Sequence, residues 1–172
     1  PHMQKAHKHT MPGIATLLLV LLWAPASHAD SDYLRSPGPH KRQSRLDLTG
    51  SVSMDVIGGA AWYIQPVIED GFITGINNSV DVEMGSYLFW GTKGSDLAVQ
   101  PTIGARWNFH VSPEWTVFAG PKVGLLVGLG EDILELLPAG STGACWHIGS
   151  GMDLRIEFGF PFLIQLGVSN PL

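Results

Sequence analysis

The sequence predicts an all-β, up-and-down antiparallel barrel that crosses a membrane. Three observations carry that expectation: long runs of period-two alternation, glycines concentrated on the polar face of those runs, and aromatic residues gathered at the ends of the apolar face. Alternation gives a strand two chemically different faces. Hairpin following hairpin in chain order gives an up-and-down sheet.

The chain has 172 residues, enough for one domain and too few for two ordinary ones. It opens with His2, Lys5, His7, Lys8 and His9, continues with the apolar run from Ile14 to Ala24, and reaches Pro25-Ala-Ser-His-Ala29. A basic start, an apolar stretch and small residues at Ser27 and Ala29 form a secretion leader. Pro1 and His2 before Met3 read as a cloning remnant. The apolar run is well short of the roughly 20 residues a spanning helix needs. Residues 1–29 are therefore assigned to remnant and leader, with cleavage after Ala29 and Asp30 as the mature start. Loss of Lys5 and Lys8 with the leader moves the formal charge from −5 to −7, which argues against a nucleic-acid partner. One cysteine, Cys145, allows no internal disulfide. Small secreted domains lean on disulfides, so stability has to come from elsewhere, and a membrane supplies it.

Residues 30–45 hold two prolines, a glycine and four basic residues with little apolar content, a flexible lead-in. Residues 46–172 are assigned to the barrel. In Leu46–Val56 the apolar set Leu46, Leu48, Val52, Met54 and Val56 opposes Asp47, Thr49, Ser51, Ser53 and Asp55, and the phase runs on through Trp62 and Ile64. In Ser79–Trp90, Val80, Val82, Met84, Leu88 and Trp90 oppose Ser79, Asp81, Glu83 and Gly85, with Tyr87 and Phe89 as exceptions. Leu97–Phe109 alternates without a break, from Leu97 to Trp107 and Phe109 on the apolar side. Trp115–Leu129 repeats the pattern with Phe118 and Leu126 as exceptions. Ala144–Phe158 sets Trp146, Leu154, Ile156 and Phe158 against His147, Asp153, Arg155 and Glu157, and Phe160–Val168 closes the chain. Connections at 110–114 and around Gly159 are tight, and Gly130–Thr142 is long. Runs of 11 to 15 residues exceed the mode of about 5–6 in soluble proteins and suit a tilted span of about 9–11 with overhang.

Residue size decides which face points inward. The polar face carries Gly85, Gly104, Gly120, Gly124, Gly128, Gly149, Gly151 and Gly167. Glycine weakens a strand unless another group must come close, and a crowded lumen supplies that group. Trp107, Phe109 and Trp115 at one tight turn, and Phe158 and Phe160 at another, form an aromatic girdle if Phe109 pairs with Trp115. Ordinary packing beneath a soluble turn is the plainer alternative.

The leader, the hairpins, the segment Pro101-Thr-Ile-Gly-Ala-Arg-Trp-Asn-Phe-His-Val-Ser-Pro-Glu-Trp115 and the closing Gly159-Phe-Pro-Phe-Leu-Ile-Gln-Leu-Gly-Val168 resemble small outer-membrane β-barrel proteins of Gram-negative bacteria, the porin-like or OmpA-like type. The resemblance covers about Leu46 to Val168 and implies eight strands and an outer-membrane location. The alternation itself gives at most seven segments, and the chain ends on Asn170-Pro-Leu172 rather than on an aromatic. Phe72–Asn77 is the place for a short extra strand.

The polar face collects Asp47, Asp55, Asp81, Glu83, Asp153 and Glu157 with Arg106, Lys122, Arg155 and His147. In a narrow barrel these form a paired lumen network, because unpaired charge away from water is expensive. His147, Ser150 and Asp153 invite comparison with a hydrolytic triad. On one strand, however, His147 and Asp153 would stand about 20 Å apart at about 3.3 Å per residue. Cys145 lies on the polar face, and a lone cysteine is more often inert than reactive. No metal-ligand spacing and no phosphate-binding loop is present, so no cofactor is expected. Ile133, Leu134 and Leu137 at helical spacing within the loop 130–142 make a short rim helix, or a patch for an extracellular or envelope partner. The reading is a non-enzymatic outer-membrane barrel in contact with lipid, acting in envelope integrity, adhesion or limited permeation. Its rivals are a lipid-modifying hydrolase and a soluble periplasmic ligand-binding barrel.

Overall fold

The computed structural model describes residues 31–35, 43–53, 55–91, 97–129, 134–149 and 151–172. The leader assigned to 1–29 lies outside these residues. A short helix α1 (Ser31–Arg35) precedes eight strands: β1 (Arg45–Val52), β2 (Val56–Ile68), β3 (Asn78–Gly91), β4 (Leu97–His110), β5 (Trp115–Leu129), β6 (Leu134–His147), β7 (Asp153–Phe160) and β8 (Ile164–Pro171). Each strand pairs antiparallel with the next, and β8 returns to β1 with Arg45 opposite Pro171 and Val52 opposite Ile164. The fold is all-β, a closed up-and-down barrel of eight strands. Closure leaves no edge along the seam from first strand to last.

Several sequence expectations change. Residues 30–45 are not wholly a flexible lead-in, because α1 docks on the barrel: Asn77 N donates to Leu34 O at 2.6 Å. Phe72–Asn77 holds no strand; it belongs to the turn between β2 and β3. The strands that the alternation concealed are β2 and β6. The loop and rim helix expected at 130–142 are replaced from Leu134 onward by β6, which pairs with β5 from Val127 opposite Leu134. Ala144–Phe158 is two strands, because Gly149 and Gly151 take φ of 66° and 83° in the turn between them, a region open to glycine at no steric cost. Gly159 lies inside β7 opposite Ser141, and the turn falls at 161–163.

The wall is uneven. β3 to β6 have 14, 14, 15 and 14 residues, against 8 each in β1, β7 and β8. β6 meets β7 only from Gly140 onward, so Leu134 and Leu136 stand exposed above the shorter strands.

Inside, three layers fill the barrel. Towards the end closed by 161–163, Tyr87 and Phe162 are fully buried and Phe89 packs against them, and the buried Trp62 and Ile64 continue this core up to the charged layer, where Ile64 lies opposite Glu83. Phe89 stacks on Phe162 at 5.0 Å, and Tyr87 meets Trp62 edge to face at 4.8 Å. Trp62 and Ile64 thus point inward, not outward with Leu46 and Leu48. Phase is reversed between β1 and β2, where Leu48 lies opposite Ala61 and Asp47 opposite Trp62. Trp62 fits only because Gly85 lies opposite it: a Cβ there would meet the indole at 2.6 Å. A charged layer occupies the middle, and a vestibule opens at the other end.

Outside, Leu48, Met84, Ile103, Val123, Leu154 and Leu166 are all exposed. Aromatic rings flank this aliphatic band. Trp107 and Phe109 lie 5.0 Å apart, Phe72 packs on Trp107, and Trp115 stacks on Trp146 at 5.9 Å. Towards the opposite end stand Trp90 and, on β7, Phe158 and Phe160. The expected partner of Trp115 was Phe109; the register instead sets Phe109 opposite Val117 and Trp115 opposite Trp146. Phe158 and Phe160 do not face each other across a turn, being two residues apart on one strand.

Candidate functional site: a sealed charge lattice and an open vestibule

Parity alone brings the charged residues inside. Asp47, Glu83, Lys122, Arg155 and Glu157 face the barrel axis from β1, β3, β5 and β7 and are almost wholly buried. Lys122 Nζ lies 2.8 Å from Glu157 Oε1 and 3.0 Å from Glu83 Oε2. Arg155 is the hub: its guanidinium contacts Asp47 and Glu157 and reaches Glu83 at 3.1 Å. Arg106 binds Asp81 at 3.0 Å and Glu83 at 3.3 Å. The planar fork of arginine suits such shared carboxylates. Aromatic faces complete the shell, with Lys122 over Trp62 at 4.4 Å and both Arg106 and Arg155 over Phe118 at 5.0 Å. Phe118 lies flat against the wall because Gly143 opposite it has no Cβ to strike the ring.

Of the residues expected in the lumen network, Asp47, Asp81, Glu83, Arg106, Lys122, Arg155 and Glu157 form this lattice. Asp55 does not: it sits exposed in the turn between β1 and β2. His147 and Asp153 form a separate group at the mouth, joined by Arg45. The separation of about 20 Å expected of an unbroken strand is overturned, because the turn at 148–152 folds β7 back and brings His147 Nδ1 within 2.8 Å of Asp153 Oδ1. Ser150 lies outside the described residues.

Around that mouth is a cavity of about 290 Å³, lined among others by Tyr33, Arg45, His110, Thr116, Cys145 and His147. A chain of hydrogen bonds crosses it. Ser79 Oγ lies 3.2 Å from His110 Nε2, His110 Nδ1 lies 2.9 Å from Thr116 Oγ1, and Thr116 Oγ1 lies 2.9 Å from His147 Nε2. One set of neutral tautomers satisfies every member: Ser79 donates to His110, His110 to Thr116, Thr116 to His147, and His147 to Asp153. Asn108 Nδ2 extends the chain to Ser79 at 3.1 Å and to Asp81 at 2.8 Å. Such chains polarise one another and hold their members in place. Sequence reasoning missed His110, Thr116 and Arg45 as site residues. Thr116 had the right parity, but nothing along the chain marks it as the meeting point of β4 and β6, where it lies opposite both His110 and Cys145.

Thr116, His147 and Asp153 stand in the order of nucleophile, base and orienting acid. Thr116 is nevertheless buried, its oxygen is shared with His110, and its backbone is paired on both sides. An acyl-transfer site depends most on donors aimed at the developing oxyanion, and the ladder commits the backbone of Thr116 to the sheet.

No family model matches the chain, and no curated protein matches it. Among solved structures, one described as "De novo design of transmembrane beta-barrels" is similar with a TM-score of 0.54 and 10% identity, covering 76% of this chain and 95% of that one. The likeness is one of fold alone: both chains are β-barrels.

Proposed function

We propose that the chain is an integral outer-membrane barrel of a Gram-negative envelope, delivered by its leader, that acts without catalysis in envelope integrity, adhesion or limited permeation. The carrying observation is its inside-out chemistry. Leu48, Met84, Ile103, Val123, Leu154 and Leu166 face outward while Asp47, Glu83, Arg155 and Glu157 are buried. In water that distribution exposes an apolar belt far beyond the few hundred Å² usual for soluble monomers. In lipid the apolar belt is accommodated, since a closed barrel pairs its backbone internally wherever its strands meet. Lipid is then the partner of the belt, and the tall β3 to β6 wall offers a surface to an envelope or extracellular protein.

The filled lumen argues for at most limited permeation. Eight strands enclose an interior just wide enough for side chains. Fractionation of the expressing cells tests the reading: the protein should remain with membranes through high-salt washing and be extracted only by detergent. Recovery of folded protein from the aqueous fraction would favour a soluble barrel instead. In planar bilayers the purified protein should give no large steady conductance.

A further inference from the structure

We propose that the vestibule binds a divalent transition-metal ion of the copper–zinc class between His110 and His147. His110 Nδ1 and His147 Nε2 each lie 2.9 Å from Thr116 Oγ1, so two imidazole nitrogens from the strands flanking β5 are aimed at one point. Their remaining ring nitrogens are held from behind, His147 Nδ1 by Asp153 at 2.8 Å and His110 Nε2 by Ser79 at 3.2 Å; ion binding selects the other neutral tautomer of His110, in which Nε2 carries the proton and donates to Ser79 Oγ and Nδ1 is left as the ligand. A carboxylate or other polar group behind the ring is how metal-binding histidines are oriented and made more basic.

Both rings are partly open, and the cavity of about 290 Å³ beside them has room for an ion and the water that completes its coordination. Imidazole suits zinc, copper and nickel, with copper bound most tightly. An ion at about 2.0–2.1 Å from each nitrogen requires the rings to close on it and the Thr116 hydroxyl to turn aside, a movement of side chains alone. Among the described residues no three His, Cys, Asp or Glu side chains stand grouped to hold an ion. The site is therefore a two-imidazole site completed by solvent, with exchangeable positions. It stands whether or not the barrel resides in a membrane.

The test is equilibrium binding of Cu²⁺, and separately Zn²⁺, to the full chain in detergent micelles. His2, His7, His9, His28 and His40 bring imidazoles of their own, so the measured quantity is the difference between variants. His110→Gln and His147→Gln should each lose one equivalent of bound Cu²⁺, whereas Thr116→Val, which keeps both rings, should retain it. Equal stoichiometry in wild type and both glutamine variants overturns the proposal, as does loss confined to Thr116→Val. A readout on the unaltered protein covers the case of a variant that does not fold. In imidazole nitrogen spectra, the signals of His110 and His147 should move together as one equivalent of Zn²⁺ binds; if both stay fixed at saturating Zn²⁺, the site does not exist.

Discussion

Lys122 and Glu157 meet at 2.8 Å inside the barrel although 35 residues separate them in sequence. Glu83 holds the same ammonium from β3 at 3.0 Å. All three side chains are cut off from water, so removing the lysine leaves two carboxylates facing each other with less positive charge between them. We predict that Lys122→Met lowers stability by about 3–5 kcal/mol, the usual cost of breaking a buried pair from one side. A surface pair would cost about 0–1 kcal/mol. Urea unfolding in detergent compares the two proteins, and equal midpoints would mean that the layer is solvated.

Gly85 and Gly50 should respond in opposite directions to the same change. A Cβ on Gly85 would meet Ala61 O at 2.2 Å and the Trp62 ring at 2.6 Å, whereas one on Gly50 meets nothing within 4 Å. Gly85→Ala is expected to destabilise by about 1–3 kcal/mol through overpacking. Gly50→Ala should stabilise by about 0.4–1 kcal/mol by restricting the unfolded chain. Unfolding midpoints of the two single variants check both signs.

These glycines mark how far the sequence was legible. Small residues on the polar face pointed to a crowded interior, and parity puts Asp47, Glu83, Arg106, Lys122, Arg155 and Glu157 on the face that the structure buries. Parity failed where both faces are largely apolar: β2 carries Ile57, Tyr63 and Val67 outward and Trp62 and Ile64 inward, and its one amide side chain, Gln65, shares the parity of the outward set, so polarity gave no sign of the reversed phase. The exceptions Tyr87, Phe89 and Phe118 looked like noise and are interior rings. The turn at 148–152 was hidden because His147 and Asp153 share a parity as well as a cross-strand pair. Partner choice depends on register, which hydropathy fixes only modulo two. Pairing Phe109 with Trp115 would have set Thr102 against Lys122 and Gly104 against Gly120; Thr102 instead faces Gly124, and Gly104 faces Lys122. Every cross-strand meeting at Thr116 was beyond reach for the same reason.

Trp115 and Trp146 stack at 5.9 Å with planes 9° apart on the outer face, directly paired across β5 and β6. Aromatic pairs contribute about 0.5–1.5 kcal/mol beyond their burial. We predict a coupling of that size from a double-mutant cycle with Trp115→Ala and Trp146→Ala, read from unfolding free energies. The same cycle between Phe109 and Trp115, the pair the sequence suggested, should show a smaller coupling; equal values would mean that the β4–β5 register is shifted by two.

Ile103 tests the environment of the outer wall. It sits mid-way along β4, 51% exposed, between Met84 on β3 and Val123 on β5. In water, Ile103→Arg would remove an apolar patch and leave stability within about 0.5 kcal/mol, as surface substitutions do. At the bilayer midplane an arginine costs about 2–4 kcal/mol, falling to about 0–1 near the interfaces. We therefore predict that Ile103→Arg destabilises the barrel in lipid vesicles by about 2–4 kcal/mol, while Leu172→Arg, at the end of the chain beyond β8, changes it by less than about 1. Reversible unfolding from vesicles measures both. A depth-independent result, with both variants near wild type, would place the belt in water and end the membrane reading, because no packing inside the barrel distinguishes the two positions.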